Sequence, residues 1–260
     1  ASGGKDCRGR RKTGASQRTM MPMELLGLYA FSYLLGSIPT AYLVGRLVKH
    51  VDIRDYGSGN VGGSNLSHHV GKRWTVPQCL LDVVVKGSVP IWIGLYGLGL
   101  DPTAPLLVVV PLLAVLGHNW SIYLKFQGGR GIAVVFGTLL ALAPLLLAAF
   151  AMVALVGWVM TRSAGVWVLI SLLLLPLWVM LMPTWAVLGG DRLVIGWFCG
   201  GLVGLIVLKR LVSNWTPLYK GLPRKKVLFN RLFRDRDIDD RNEWVSVGGI
   251  ETHSERPTEG

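Results

Sequence analysis

Charged residues are scarce in this chain. Asp, Glu, Lys and Arg make up only 16% of its 260 residues, whereas these residues make up about 25% of a typical soluble domain. Most of the charges lie in loops and at the two ends, and 51% of all residues are hydrophobic. Because a membrane span needs about 20 apolar residues, this distribution is typical of a multi-pass membrane protein and excludes an ordinary soluble domain.

Motifs for metals and cofactors are scarce as well. The three cysteines, Cys7, Cys79 and Cys199, show no metal-ligand spacing, and no cluster of His, Cys and carboxylate residues suggests a metal centre. We therefore predict no metal site and no required cofactor. The chain also lacks the internal repeat found in many transporters.

The net charge of +12 is strongly positive. Such a charge can indicate nucleic-acid binding, but here the basic residues lie beside apolar runs, where they set membrane topology and contact anionic lipid. We therefore expect membrane lipid, and no nucleic acid, as a partner. The sequence does not define an oligomeric state.

The apolar runs predict an all-α integral membrane fold with about seven transmembrane helices. Residues 131–160 would extend about 45 Å as one helix, beyond a hydrocarbon core of about 30 Å, and Pro144 interrupts them. We therefore predict a short, broken fourth helix, although a single tilted and kinked helix is the alternative. The predicted spans are 23–48, 75–99, 103–123, 131–143, 145–160, 166–184 and 192–209.

The flanking segments differ in composition from the membrane domain, which we place at residues 23–217. Residues 1–22 are polar and basic, so a disordered N-terminal segment is expected. Residues 218–260 predict a basic amphipathic segment, suited to a membrane interface, followed by a polar, solvated C-terminal tail.

Loop positions predict which face carries the polar residues. With seven spans, the loops after spans one, three, five and seven share one face. These loops hold most of the Lys and Arg outside the N-terminal segment. Because positive loops stay inside, we predict that this face is cytoplasmic.

Two glycine-rich stretches, residues 57–65 and 126–131, belong to these loops. Glycine lets backbone N–H groups approach a ligand closely, and a helix N-terminus favours an anion. With the charge of Arg130, such loops are suited to phosphate, although a plain interhelical turn is the alternative. The candidate phosphate-binding glycines are Gly57, Gly59, Gly62, Gly128, Gly129 and Gly131.

Four residues are candidates for catalysis: Ser58, Asn60, His118 and Arg130. Ser58 would hydrogen-bond a phosphorylated substrate, and Asn60 would stabilise a developing oxyanion. His118 is either a general base or a histidine bonded to a neighbouring helix. Arg130 would neutralise phosphate charge. No triad that would activate Ser58 as a nucleophile is visible.

Further polar residues are candidate phosphate ligands, with turn formation or helix capping as the alternative. They are Ser64, Asn65, His68, Ser163, Arg210 and Asn214. Asp82 and Lys86 lie one helical turn apart inside an apolar segment, where unpaired charges are costly. We predict an internal ion pair for them.

Several of these residues stand in an order that resembles a known family. The segments are Leu35 to Pro39, Asp52 to Asn60, Gly71-Lys72, Asp82 with Lys86-Gly87, Gly117-His118 and Phe126 to Gly131. Across residues 24–221 the chain resembles the bacterial acyl-phosphate:glycerol-3-phosphate acyltransferases, the PlsY family.

The resemblance implies a seven-span enzyme of the bacterial cell (inner) membrane. It implies transfer of a fatty acyl group from acyl phosphate to the 1-hydroxyl of glycerol 3-phosphate by direct attack of that hydroxyl. The products would be lysophosphatidic acid and phosphate, in the first step of phospholipid synthesis.

The chain departs from the family pattern mildly at Gly63 and Ser64 and in the spacing of Asp82 and Lys86, which is one residue longer, and more strongly at four other positions. His68, Gln127, Leu211 and Pro217 stand where the family has Arg, Lys, His and Arg. Two other functions therefore stay open: a membrane transporter of an organic phosphate, and a catalytically lapsed relative that binds lipid.

Overall fold

The computed structural model describes residues 22–102, 104–183, 191–214 and 222–246. Residues 1–21 of the expected disordered segment, and the end of the expected polar tail, lie outside the described residues.

Regular structure in the described residues is helical, apart from one antiparallel bridge between Ser121 and Gln127. A wider π-helical turn at Asp82–Ser88 joins α4 to α5, and a second at Ile93–Gly97 extends α5, so that Lys72–Gly97 is one continuous helix. Short 3-10 turns lie at Ile53–Asp55, Pro105–Val108 and Ile122–Leu124. The α-helices are α1 (Pro22–Ser37), α2 (Thr40–Lys49), α3 (Gly63–His69), α4 (Lys72–Leu81), α5 (Val89–Trp92), α6 (Val109–Asn119), α7 (Ile132–Leu142), α8 (Pro144–Thr161), α9 (Ala164–Leu181), α10 (Arg192–Val212), α11 (Arg224–Arg234) and α12 (Arg241–Ser246).

Five helical segments of the described chain are long and apolar enough to cross a membrane: Met23–Lys49, Lys72–Gly97, Pro144–Thr161, Ala164–Leu181 and Arg192–Val212. Two shorter apolar helices, Pro105–Asn119 and Ile132–Leu142, lie where the third and fourth spans are predicted. The all-helical prediction is confirmed. The count of seven spans stays a prediction, because two of the segments are shorter than a typical span.

The predicted break at Pro144 is confirmed. Helix α7 ends at Leu142, Ala143 leaves the helical conformation with φ −153° and ψ 72°, and α8 begins at Pro144. Proline suits a first helical position because the N–H it lacks has no partner there. With 11 residues, α7 is only about 16 Å long, roughly half the thickness of a hydrocarbon core.

Glycines allow the helices around α6 and α7 to pack closely. A Cβ on Gly117 would lie 2.2 Å from the carbonyl oxygen of Tyr33, and one on Gly137 would lie 1.8 Å from that of Val83. Both distances are below any real carbon contact, so backbones touch at these points, as small residues permit between membrane helices. The packing holds the end of α6 against α1 and the middle of α7 against the Asp82–Ser88 turn.

The ion pair predicted for Asp82 and Lys86 is present. Lys86 Nζ lies 2.5 Å from Asp82 Oδ1, and each side chain is only 2% exposed. Thr40 Oγ1 donates a hydrogen bond to Asp82 Oδ1 at 2.7 Å, and Gln78 Nε2 donates to Asp82 Oδ2 at 2.5 Å. A buried charge pair needs such additional hydrogen bonds, so this group forms a polar centre within the apolar helices.

The C-terminal segment differs in part from the expectation. In helix α11, Phe229 is exposed and Asn230 is buried, and its place at a membrane interface stays a prediction. The chain after it is not simply a solvated tail, because Asp237 and Ile238 are buried. Arg231 Nε donates to Asp237 Oδ1 at 2.6 Å, which holds this turn against α11.

Candidate functional site

Four segments meet at one end of the helical bundle: the loop before α3, the loop before α7, the start of α9 and the end of α10. Val61 N–H donates to the Gly128 carbonyl at 3.3 Å, and Arg210 Nη1 donates to the Gly165 carbonyl at 2.9 Å. These segments follow predicted spans one, three, five and seven. Their meeting agrees with the prediction that the polar loops share one face.

Asn214 joins both glycine-rich loops to the end of α10. Its Nδ2 donates to the carbonyls of Gly59 and Gly128 at 2.9 and 3.1 Å, and its Oδ1 accepts from Gly128 N–H at 3.3 Å. Lys209 Nζ also donates to Oδ1, at 2.8 Å. The side chain is only 5% exposed. Direct phosphate binding by Asn214 stays a prediction, whereas the observed contacts hold the loops together.

Asn65 organises the first glycine-rich loop from inside. Its Nδ2 lies within hydrogen-bonding distance of the carbonyls of Ile53, Tyr56 and Asn60, at 2.8, 3.0 and 3.2 Å. Gly57, with φ +52°, packs so closely that a Cβ would lie 2.7 Å from Asn65 Oδ1. The loop is therefore built around a buried amide.

Gly128 and Gly129 pack against the end of α6. A Cβ on Gly129 would lie 2.2 Å from His118 Nε2, and one on Gly128 would lie 2.3 Å from the His118 carbonyl oxygen. Packing therefore accounts for both glycines without a ligand. Gly131 precedes α7 with φ +76°, a left-handed conformation that favours glycine.

A first cavity of about 470 Å³, the Ser58 cavity, lies between the α3 loop and the start of α7. Its apolar lining includes Ile132, Ala133 and Phe136. The candidate residues that line it are Ser58, Asn60, Gly62, Ser64, Asn65, His118, Arg130 and Gly131. The structure thus brings all four candidate catalytic residues to one cavity.

Two of these residues have defined polar neighbours. The end of the Asn60 amide that faces Arg130 lies 2.9 Å from Nη2, and because guanidinium offers only donors, the amide oxygen belongs on that side. His118 is 7% exposed, and its Nδ1 lies 3.8 Å from Asp82 Oδ2, which is too long for a hydrogen bond. A general-base role for His118 stays a prediction.

A second cavity of about 490 Å³, the Arg210 cavity, is lined by the remaining cationic and polar candidates His68, Ser163 and Arg210. Both cavities are lined by Ser64, Arg130, Ile132 and Asp235. Arg130 therefore lies between the Ser58 cavity, which has an apolar wall, and the Arg210 cavity, which is lined by cations. Gly57, Gly59, Gly128, Gly129 and Asn214 lie behind these walls and shape the loops.

Asp235 is a site residue that the sequence analysis missed. Its carboxylate forms an ion pair with Arg130, and Arg210 Nε lies 3.6 Å from its Oδ1. Trp244, from α12, places its ring centroid 5.8 Å from the Arg130 guanidinium. The only sequence signal was a carboxylate directly after an amphipathic basic helix, which does not indicate a partner 105 residues away.

Arg54 explains why the chain has Gln127 where the family pattern has lysine. Arg54 Nη2 lies 2.6 Å from Asp52 Oδ2, and its Nη1 donates to Gln127 Oε1 at 3.1 Å. The Arg54 guanidinium lowers the pKa of the Asp52 carboxyl. A lysine at position 127 would bring a second cation against Arg54, whereas glutamine supplies an acceptor and links the Ile53–Asp55 turn to the loop before α7.

The described chain combines apolar helices long enough to cross a membrane with a cavity that arginine side chains line. These features define the class: an integral membrane protein with a cation-lined cavity at one end of its helices. The family model for glycerol-3-phosphate acyltransferase matches residues 26–221. The chain belongs to the glycerol-3-phosphate acyltransferase family.

Individual relatives agree with this assignment. Glycerol-3-phosphate acyltransferase 4 of Dehalococcoides mccartyi (strain CBDB1) is 34% identical over 237 residues, which cover 87% of this chain and 95% of the relative. Glycerol-3-phosphate acyltransferase 2 of Moorella thermoacetica is 48% identical over 128 residues, or 48% of this chain and 61% of that one.

Solved structures show the same fold. The crystal structure of PlsY, an integral membrane glycerol 3-phosphate acyltransferase, in its glycerol 3-phosphate form, superposes with a TM-score of 0.64 at 28% identity. It covers 72% of this chain and 88% of PlsY. The lysophosphatidic acid form gives a TM-score of 0.62. Helix α11, Asp235 and α12 lie beyond the range that the family model matches.

Proposed function

We propose that this protein transfers a fatty acyl group from acyl phosphate to the 1-hydroxyl of glycerol 3-phosphate, giving lysophosphatidic acid and phosphate for phospholipid synthesis. The observation that carries the proposal is the position of Arg130, between the Ser58 cavity and the Arg210 cavity, in a chain of this family. One cation can there contact phosphate groups that arrive from either side.

The two cavities suit the two substrates. In the Ser58 cavity, Ile132, Ala133 and Phe136 offer an apolar wall for the first carbons of an acyl chain, next to Arg130 and the start of α7. A helix start favours an anion, so the phosphate of the donor fits there. In the Arg210 cavity, His68, Ser163 and Arg210 offer donors for the phosphate of the acceptor.

The reaction needs no covalent enzyme intermediate. The 1-hydroxyl oxygen attacks the acyl carbonyl carbon, the carbonyl–phosphate bond breaks, and phosphate leaves with the bonding electrons. Arg130 neutralises the leaving charge. The Asn60 amide oxygen accepts from the Arg130 guanidinium and orients it, whereas the Asn60 amide nitrogen faces Asn214. The hydroxyl proton passes to the leaving phosphate or to His118.

Ser58 fits a binding role better than a nucleophilic one. Its hydroxyl lines the cavity and accepts a hydrogen bond from Asn60 N–H at 3.3 Å. Because Oγ is the acceptor in this contact, the hydroxyl hydrogen stays free to donate to a phosphate. We assign Asn65 and Asn214 to holding the loops, because backbone carbonyls already occupy their amide hydrogens.

We further propose that the site lies at the cytoplasmic face of the bacterial inner membrane. Support comes from the positive charge of the loops that surround it. An Arg162→Cys variant tests the orientation, because Arg162 is exposed beside the Arg210 cavity. A membrane-impermeant thiol reagent should label it in inverted vesicles and not in intact cells, and the reverse pattern would contradict this orientation.

The proposed reaction is tested with the purified protein reconstituted in lipid. Acyl phosphates of several chain lengths, with acyl-CoA as the comparison donor, are supplied with radiolabelled glycerol 3-phosphate. We expect equal amounts of phosphate and labelled lysophosphatidic acid from acyl phosphate. Uptake of glycerol 3-phosphate into the vesicles without acylation would favour a transporter, and phosphate release that does not require glycerol 3-phosphate would contradict the proposal.

A further inference from the structure

Asp235 holds the position of an anion in the candidate site. Its carboxylate pairs with Arg130 and faces Arg210 Nε at 3.6 Å. It lines both the Ser58 cavity and the Arg210 cavity. Two guanidinium groups around one carboxylate form the donor arrangement that also binds phosphate.

The carboxylates that follow Asp235 have partners within their own segment. Asp237 pairs with Arg231, and Asp239 pairs with Lys226 and Arg234, all from α11. Asp235 instead reaches across to Arg130, 105 residues away in the chain. Its contact is therefore not needed to hold α11 and the following turn together.

The contact between Asp235 and Arg210 is incomplete. Within the described part of the chain, neither Asp235 Oδ1 nor Arg210 Nε has a hydrogen-bond partner, although both atoms are buried. At 3.6 Å they attract each other without forming a hydrogen bond. A larger anion with several oxygens could accept hydrogen bonds from both arginines at once. The short Asp235 carboxylate does not, because it leaves Arg210 Nε without a hydrogen bond.

The backbone places Asp235 at a point where it can turn away. It is the residue directly after α11, with φ +61°, and its side chain is 23% exposed. Rotation of this side chain frees the guanidinium groups without unfolding α11.

We propose that Asp235 competes with the acceptor phosphate for Arg130 and Arg210, so that it sets the affinity of the site for phosphorylated acceptors. The carboxylate must leave before a phosphate group can contact both arginines, and each arriving phosphate repels it. The inference rests on the proposed function only for the identity of the acceptor, glycerol 3-phosphate. The competition itself concerns any phosphate.

The test compares Asp235→Asn with a matched control, Asp239→Asn. Asparagine accepts the left-handed conformation and keeps the size of the side chain, so the variant removes only the charge. Asp239 is 48% exposed and lies outside both cavities, so the control removes the same charge elsewhere. Binding of inorganic phosphate and of glycerol 3-phosphate to the full chain is measured by titration calorimetry.

We expect Asp235→Asn to bind inorganic phosphate at least about fivefold more tightly than the wild type. In this variant no carboxylate has to leave the two arginines before phosphate binds, so a larger fraction of the protein is ready for the ligand. Asp239→Asn should match the wild type. Unchanged or weaker phosphate binding in Asp235→Asn would overturn the proposal, since it would mean that Asp235 only positions Arg130.

A second measurement uses the wild-type protein alone. Inorganic phosphate should speed amide hydrogen exchange in residues 235–246, and equal or slower exchange would count against displacement. In the acyltransferase assay, Asp235→Asn should lower KM for glycerol 3-phosphate, whereas Asp239→Asn should leave this KM at the wild-type value. If acyl transfer is absent while the phosphate results hold, the proposed function fails and the competition stands.

Discussion

Gly128 and Asn214 exchange two hydrogen bonds across 86 residues of chain. Gly128 N–H donates to Asn214 Oδ1 at 3.3 Å, and Asn214 Nδ2 donates to the Gly128 carbonyl at 3.1 Å. This pairing fixes the loop before α7 to the end of α10. The position of Arg130, two residues further along that loop, therefore depends on Asn214.

Replacement of Asn214 by alanine should lower both stability and activity. It leaves the Gly59 carbonyl, the Gly128 N–H and Lys209 without their amide partner in a buried place, and each unsatisfied group costs about 1–3 kcal/mol. We expect a lower melting temperature in detergent and an acyl-transfer rate reduced at least about tenfold. Asn242→Ala, at an exposed position of α12, is the control; equal behaviour of the two variants would contradict the assigned role.

Replacement of Lys86 by methionine should destabilise the protein strongly. The Asp82 carboxylate would stay buried without its cation, and removal of one partner of a buried pair costs about 3–5 kcal/mol. The double variant Asp82→Asn with Lys86→Met should unfold at a higher temperature than Lys86→Met alone. Lys226→Met removes the lysine of a half-exposed pair with Asp239 and should cost at most about 1 kcal/mol; a similar loss in both lysine variants would argue against a buried pair.

Local features of the fold could be read from the sequence, because each depends on neighbouring residues. A single helix over residues 131–160 would be too long for the membrane, and Pro144 near its middle predicts a break. In the structure α7 ends at Leu142 and α8 begins at Pro144. Asp82 and Lys86 are one turn apart, so their pairing follows from helical geometry and the cost of buried charge.

The contacts that close the site could not be read in the same way. Asp235 meets Arg130, and Arg54 meets Gln127, only after distant segments have packed. Periodicity and spacing carry no signal for such pairs. Gly128 and Gly129 indicated a phosphate loop in the sequence, whereas the structure shows that close packing on His118 already requires glycine there.

His68→Arg should preserve or raise activity. His68 is exposed and lines the Arg210 cavity, where the proposed acceptor phosphate binds. Histidine is charged mainly in mildly acidic solution, whereas arginine is always charged and presents a planar fork to phosphate. The measurement is KM for glycerol 3-phosphate, with His50→Arg, an exposed histidine after α2, as the control. A fall in kcat/KM of more than about tenfold in His68→Arg would contradict a phosphate contact at this position.

Stability should fall as the solution becomes more acidic than pH 6.5, through His69. Burial lowers the pKa of this half-buried histidine below its ordinary value of 6.5, so the unfolded chain takes up the proton more readily than the folded chain. The contribution of His69 to the free energy of unfolding is complete above pH 6.5. It is lost as the pH falls through the lower pKa of His69 in the folded state. Melting temperatures of the wild type and His69→Asn between about pH 7.5 and pH 5.5 test this; parallel slopes in the two proteins would exclude His69 as the source.

The central claim is that Arg130 contacts the reacting phosphate groups where the two cavities meet. Its most direct test is the acyl-transfer rate of Arg130→Ala beside Arg73→Ala, which removes an exposed arginine that packs on Trp74. We predict that Arg130→Ala lowers kcat/KM by at least about a hundredfold while Arg73→Ala stays close to the wild type. A folded Arg130→Ala variant that transfers acyl groups at the wild-type rate would contradict the account.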